Sequence, residues 1–145
     1  MKIKKILVPV DFSPHARRAQ QVAVELAKAF GAEIHLLHAY SLPVTVVGPY
    51  DYQIPAAMLA ELRESAARRL DQEVKALAGS GVPVTALITE GVPTQAIVDA
   101  AERLGADLIV MGTRGLTGLK HVVLGSVAER TIRHARCPVL TLHDD

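Results

Sequence analysis

The run Leu108-Ile109-Val110-Met111, bracketed by Asp107 and Gly112, constrains the chain more than any other stretch. Unbroken apolar residues without alternation read as a strand buried on both faces. Such a strand needs a covering layer on each side. Gly112, Gly115 and Gly118 then interrupt any regular element, and Gly125-Ser126 follow after a short bridge. Ser126 with Glu129 has the spacing of a capping box, so a helix is expected to begin at Ser126. The order is therefore strand, glycine-rich loop, capped helix N-terminus. Glycine lets backbone approach a ligand closely. The free amides and positive dipole end of the helix would face the space above the strand, a site for an anion and above all for phosphate.

The rest of the chain repeats this alternation. Residues Ile3 to Val10 form a first strand, with Pro9 near its end, where a strand can leave its neighbours. Asp11 and Phe12 follow, and Ser13-Pro14 opens a helix whose apolar face is Ala16, Ala19, Val22, Ala23, Leu26, Ala27 and Phe30, closed by Gly31. Glu33 to Tyr40 is a second strand. A long loop over 41–54 carries Tyr50 and Tyr52 and leads to a helix over Pro55 to Ala78, with Leu59, Leu62, Ala66, Leu70, Val74 and Leu77 on its inner face. Val82 to Thr89 is a third strand. A helix after Pro93 turns Ile97, Val98, Ala101 and Leu104 inward and ends at Gly105. The strand Asp107 to Met111, the helix Ser126 to Ala135 and the strand Pro138 to Leu142 complete the series.

Strands and helices alternating in this way predict one α/β domain over residues 1–145: an open five-stranded parallel sheet with helices on both faces. Strand order 3-2-1-4-5 is expected. It places the ligand crevice where the order reverses, between strands one and four, beside Asp11 and Gly112.

Composition removes several alternatives. Sixteen Lys+Arg against fifteen Asp+Glu leave a net charge of +1, which gives no electrostatic case for nucleic acid. Aromatics are 3% with no Trp, so a purine here must be held between aliphatic side chains. Half the residues (50%) are hydrophobic, yet no apolar run approaches the ~20 residues of a membrane span. A single cysteine, Cys137, fits a reducing compartment, and a cytoplasmic location is expected.

Common phosphate loops do not fit. GxGxxG is absent, and Gly115-Leu-Thr-Gly118-Leu-Lys120 has the wrong spacing for GxxxxGK[ST]. What stands instead is G-x2-G-x9-G-S, at Gly112, Gly115, Gly125 and Ser126. With ILVPVDFS at 6–13, LLHAY at 36–40, DLIVMGTRG at 107–115, LGSVAE at 124–129 and CPVL at 137–140, the chain resembles the ATP-binding branch of the universal stress protein family. The likeness runs along the whole chain.

That resemblance implies an adenine nucleotide alpha hydrolase-like fold. It implies ATP held with a divalent cation, Mg2+ or Mn2+, and a homodimer, often formed through the last strand, here Val139 to Leu142. Asp11 would meet the ribose or the adenine edge. Pro9, Val10, Ala39 and Met111 would line the adenine pocket, and Gly112, Gly115, Gly125, Ser126 and Val127 would wrap the ribose and phosphates.

The residues carry plainer meanings beside these. Asp11 suits a cap for the following helix, and Ser126 suits a simple N-cap. Arg114 and Lys120 are placed to neutralise phosphates, although such side chains are more often just solvated. His35 and His38, three apart on a strand, point to opposite faces, a poor metal geometry. No general base stands out. The expected function is therefore a homodimeric stress-response or regulatory protein that holds ATP. A slow ATPase or self-phosphorylating enzyme, or a nucleotide-free interaction module acting through the Tyr50–Tyr52 loop, are the alternatives.

Overall fold

The computed structural model describes residues 1–41, 55–115 and 124–143. Along the chain run β1 (Lys5–Pro9), α1 (Pro14–Phe30), β2 (Glu33–Tyr40), α2 (Ala56–Leu77), β3 (Val84–Glu90), α3 (Pro93–Leu104), β4 (Leu108–Gly112), α4 (Ser126–His134) and β5 (Val139–Leu142). The strands pair in parallel in the order β3-β2-β1-β4-β5, as the alternation predicts. The 41–54 loop with its tyrosines, and Gly118 and Lys120, lie largely or wholly outside the described residues.

Register fixes which side chains share a face. Ile6 stands beside Ile34 and Leu108, and Leu7 beside His35 and Ile109. Because side chains alternate along a strand, Ile6, Val8, Val10, Ile34, Leu36, Leu108 and Val110 form one apolar layer. They pack there with Ala19, Ala23 and Ala27 of α1 and Leu70 of α2. Leu7, Leu37, Ile109 and Met111 form the other, against Ile97, Ala100 and Ala101 of α3 and Ala128 of α4. Small alanines on α1 let that helix lie close over the sheet, chiefly over β4. Among the described residues no helix is long and apolar enough to cross a membrane.

Local chemistry sets the ends. Ser13 Oγ accepts from the Ala16 amide at 3.1 Å, Pro14 occupies the first turn of α1, and Gly31 closes the helix at φ 67°, a left-handed geometry that favours glycine. β5 begins at Val139 because Pro138 has no N–H to give; its carbonyl accepts from Ile109 at 3.0 Å. β3 starts later than the apolar run suggests: the Val82 amide donates to Ser80 Oγ, and Pro83 has no N–H to give, although its carbonyl accepts from Ile34 at 2.8 Å.

Two expected helix faces are corrected. Phe30 is exposed, whereas Gln20 is buried in the α1 interface. On α2 only Ala66 and Leu70 are fully buried, and Leu62 faces outward. α2 packs on the edge side of the sheet, over β2 and β3, and Val74 and Leu77 near its end are partly buried against the core.

Candidate functional site

β1 and β4 are neighbours, but the chain leaves them in opposite directions. From β1 it passes to α1 on one face, and from β4 to α4 on the other. A gap must open beyond the carboxyl ends of the two strands. It is a crevice of about 300 Å³, at the small end of ligand pockets. All eleven residues named from the sequence line it: Pro9, Val10, Asp11, Ala39, Met111, Gly112, Arg114, Gly115, Gly125, Ser126 and Val127. Sequence reasoning missed Leu37, Pro93, Ile97, Thr113, Ala16 and Ala128, which also line it. Pro93 and Ile97 come from the head of α3; their apolar pattern reads only as core.

The carboxylate end is built by the β1–α1 turn. Asp11 Oδ1 accepts from the Ser13 amide at 2.9 Å, so Asp11 does support the helix start. Its second oxygen, Oδ2, faces Gly115 so closely that a Cβ there would stand 2.8 Å away. Between Asp11 and Ser13, Phe12 takes φ 64°, an uncommon conformation for a bulky residue. Functional turns often hold such strain.

Three motif glycines are there for space rather than for turning. None of Gly112, Gly115 and Gly125 has a positive φ. A Cβ on Gly112 would press on His15 Cβ at 3.0 Å, and one on Gly125 would meet the Thr113 carbonyl oxygen at 2.8 Å. The turn after β4, the head of α1 and the head of α4 are therefore in near-contact.

Thr113 fastens this corner. It is buried, its amide donates to Leu142 of β5 at 2.9 Å, and its carbonyl accepts from the Gly125 amide at 2.5 Å. Its position between two glycines of the motif was the available signal.

The capping box does not form. Gly125 is the N-cap, Ser126 is the first helical residue, and Glu129 instead pairs with Arg133 at 2.8 Å. The Gly125 carbonyl already accepts from the Glu129 amide at 3.0 Å, which places the start one residue early. Ser126 is thus exposed at the crevice with its hydroxyl outside any cap. The amides of Ser126, Val127 and Ala128 have no carbonyl a turn behind them within the helix. With the dipole, they make an electropositive wall for an anion. The Gly125 amide is already engaged.

His35 and His38 take separate partners. His35 bridges Glu33 at 2.9 Å and Thr85 at 2.7 Å, and His38 meets the Val10 carbonyl at 2.7 Å. Cys137 is half-buried near the opposite end of the sheet, and burial pushes its thiol pKa up. Among the described residues no three His, Cys, Asp or Glu side chains gather into a metal-ligand group.

A family model described as the universal stress protein family matches residues 2–143. The chain belongs to that family. It is 41% identical over 144 residues to universal stress protein MJ0531 of Methanocaldococcus jannaschii, covering 96% of this chain and 81% of that one. The solved structure of MJ0577 from the same organism matches at TM-score 0.80 and 34% identity, over 100% of this chain and 99% of that one. A universal stress protein of Archaeoglobus fulgidus, solved in complex with dAMP, matches at TM-score 0.67 and 25% identity, over 97% and 98%. These universal stress proteins share the parallel α/β architecture seen here.

Proposed function

We propose that the crevice holds an adenine nucleotide, ATP with Mg2+ or Mn2+, and that this universal stress protein acts as a cytoplasmic homodimeric regulator in the stress response. The observation that carries the reading is the convergence of three features on one gap. They are the Asp11 carboxylate, an apolar slot containing Pro9, Val10, Ala39 and Met111, and the first-turn amides of Ser126 and Val127, which have no acceptor within α4. A nucleoside has an apolar base and a hydroxylated sugar, and its phosphates are anionic, so each feature meets one part of it. The dAMP complex of the Archaeoglobus relative supports the adenine end.

The groups present fit such a ligand. Because the motif glycines lack side chains, the turn after β4 and the heads of α1 and α4 can close up around the crevice; an added Cβ would meet protein atoms at 2.8 to 3.0 Å. A divalent cation would be held mainly by the phosphates themselves, which bring hard oxygen ligands. When bound it would neutralise their charge. Asp11 would accept from sugar hydroxyls, and Arg114, which also lines the crevice, would face the phosphate chain. Several charge-assisted bonds of ~1.5–3 kcal/mol each, less ordering costs, bring micromolar affinity within reach, about −8 kcal/mol. The place of β5 at the end of the strand order, with Leu140 exposed, supports pairing of two copies through the last strand.

Titration calorimetry with ATP, AMP and GTP, with and without Mg2+, tests the reading. Micromolar heat with ATP and weaker heat with GTP is expected. No heat with any of the three sinks it, and saturable steady-state phosphate release would replace holding by turnover.

A further inference from the structure

β1 and β2 separate at Val10. The last rung between them runs from the Val10 amide to the Leu37 carbonyl at 2.8 Å. At the next acceptor a side chain takes over: His38 Nδ1 lies 2.7 Å from the Val10 carbonyl oxygen. A carbonyl oxygen only accepts, so Nδ1 must carry the proton. The two residues that follow are Asp11, aimed past Gly115, and Phe12, held at φ 64°. The Phe12 ring sits 4.6 Å from the His38 ring at a tilt of 46°, and the Arg69 guanidinium lies 4.1 Å from the Phe12 ring centre. Peptide 10–11 and residue 12 are thus both tied to one imidazole. His38 itself is not among the residues lining the crevice.

We propose that His38 is a positioning residue for Asp11. By donating to the Val10 carbonyl and backing the ring of Phe12, whose backbone is strained, it fixes the chain on either side of Asp11, so that the carboxylate points at the nucleoside. Left without that donor, the peptide after Val10 is free to rotate, Phe12 relaxes toward negative φ, and Asp11 loses its aim. The inference rests on the reading of the crevice as an adenine nucleotide site.

A space-filling role is separated from a donor role by choosing what is kept. His38→Leu keeps apolar bulk without a donor. His38→Asn places an amide nitrogen near the position of Nδ1, and His38→Gln places one nearer that of Nε2. Binding of ATP and AMP is measured for each by calorimetry, together with the ¹⁵N shifts of the His38 ring in the wild type. His38→Leu and His38→Gln are expected to weaken ATP and AMP equally, by about tenfold, the scale of one lost hydrogen bond. His38→Asn should recover affinity to within about threefold of wild type. In an Asp11→Ala background His38→Leu should add nothing, because its route is through the carboxylate. The ring should show the Nδ1–H form.

His38→Asn as weak as His38→Leu, full additivity with Asp11→Ala, or an Nε2–H ring with bare Nδ1 would each overturn the inference. Should His38→Leu not fold, His38→Asn against His38→Gln and the ring tautomer decide it. A wild type that binds no adenine nucleotide overturns the reading of the crevice itself. A wild type that binds, with His38→Leu binding equally well, overturns this inference alone.

Discussion

The Thr113 carbonyl oxygen accepts the Gly125 amide at 2.5 Å, and a methyl on Gly125 would stand 2.8 Å from that same oxygen. One contact therefore sets how near α4 approaches the end of β4, and it is made by backbone on both sides. Gly125 has φ −67°, so alanine suffers no conformational strain there, only the collision. Because the obstacle is a main-chain atom, it cannot swing aside. Gly125→Ala is expected to push the head of α4 outward and weaken ATP by tenfold or more, about 1.4 kcal/mol. AMP, which reaches less far along the amide wall, should lose less. Calorimetry with both nucleotides checks this, and circular dichroism should show the fold retained.

Gly115 presents the opposite kind of obstacle. Its added Cβ would meet Asp11 Oδ2 at 2.8 Å, the far end of a side chain that can turn away. Turning costs Asp11 its bond to the Ser13 amide and its orientation toward the crevice. Gly115→Ala should therefore weaken AMP and ATP by a similar factor, about five- to twentyfold for one or two hydrogen bonds. Combined with Asp11→Ala it should show little further loss. Two independent losses that simply multiply would mean that Gly115 acts elsewhere than on Asp11.

The glycine spacing made the site's location legible because close backbone approach permits only one residue type. Strand order was legible too, since unbroken apolar runs separated by helical patterns leave few topologies. Side-chain partnership was hidden. Ser126 and Glu129 have the spacing of a box, but the Gly125 carbonyl and amide were already committed to Glu129 and Thr113, and no pattern in the sequence reports that. Phe12 reads as an ordinary apolar residue, and neither its left-handed backbone nor its contacts with His38 and Arg69, distant in sequence, leave a pattern there. Leu62 and Phe30 sit on periodic faces, yet periodicity says which side chains align and not whether a strand lies beneath them.

Asp107 ties the far end of the sheet together. Its Oδ2 accepts from the main-chain amides of Lys4 at 2.8 Å and Lys5 at 3.0 Å. These two amides, Lys4 first, hold its carboxyl below the ordinary carboxylate range; slight burial opposes them and the Lys5 charge adds to them. A lowered folded pKa contributes stability above the unfolded value near 3.9, and that contribution is lost as pH falls through the lower folded value. Asp107→Asn keeps an acceptor but not the charge. Urea unfolding should show it about 1 kcal/mol less stable than wild type near neutral pH, a modest figure because the carboxylate is solvent-screened. The gap should close as the pH drops below about 4. A gap that stays constant down to pH 2 would show that shape, not charge, matters at this position.

Gln20 is 2% exposed in the α1 interface, and its Nε2 has no hydrogen-bond partner among the described residues. An unpaired buried amide costs about 1–3 kcal/mol. Methionine has nearly the same length and flexibility and leaves nothing unsatisfied. Gln20→Met should raise stability by about 1 kcal/mol and the melting temperature by about 3 °C for a domain of this size. Scanning calorimetry measures the shift, and nucleotide affinity should not move, since Gln20 does not line the crevice. A lower melting temperature would mean that a buried water completes the amide and that methionine displaces it. A loss of ATP affinity at unchanged stability would instead tie Gln20, through α1, to the turn that carries Asp11.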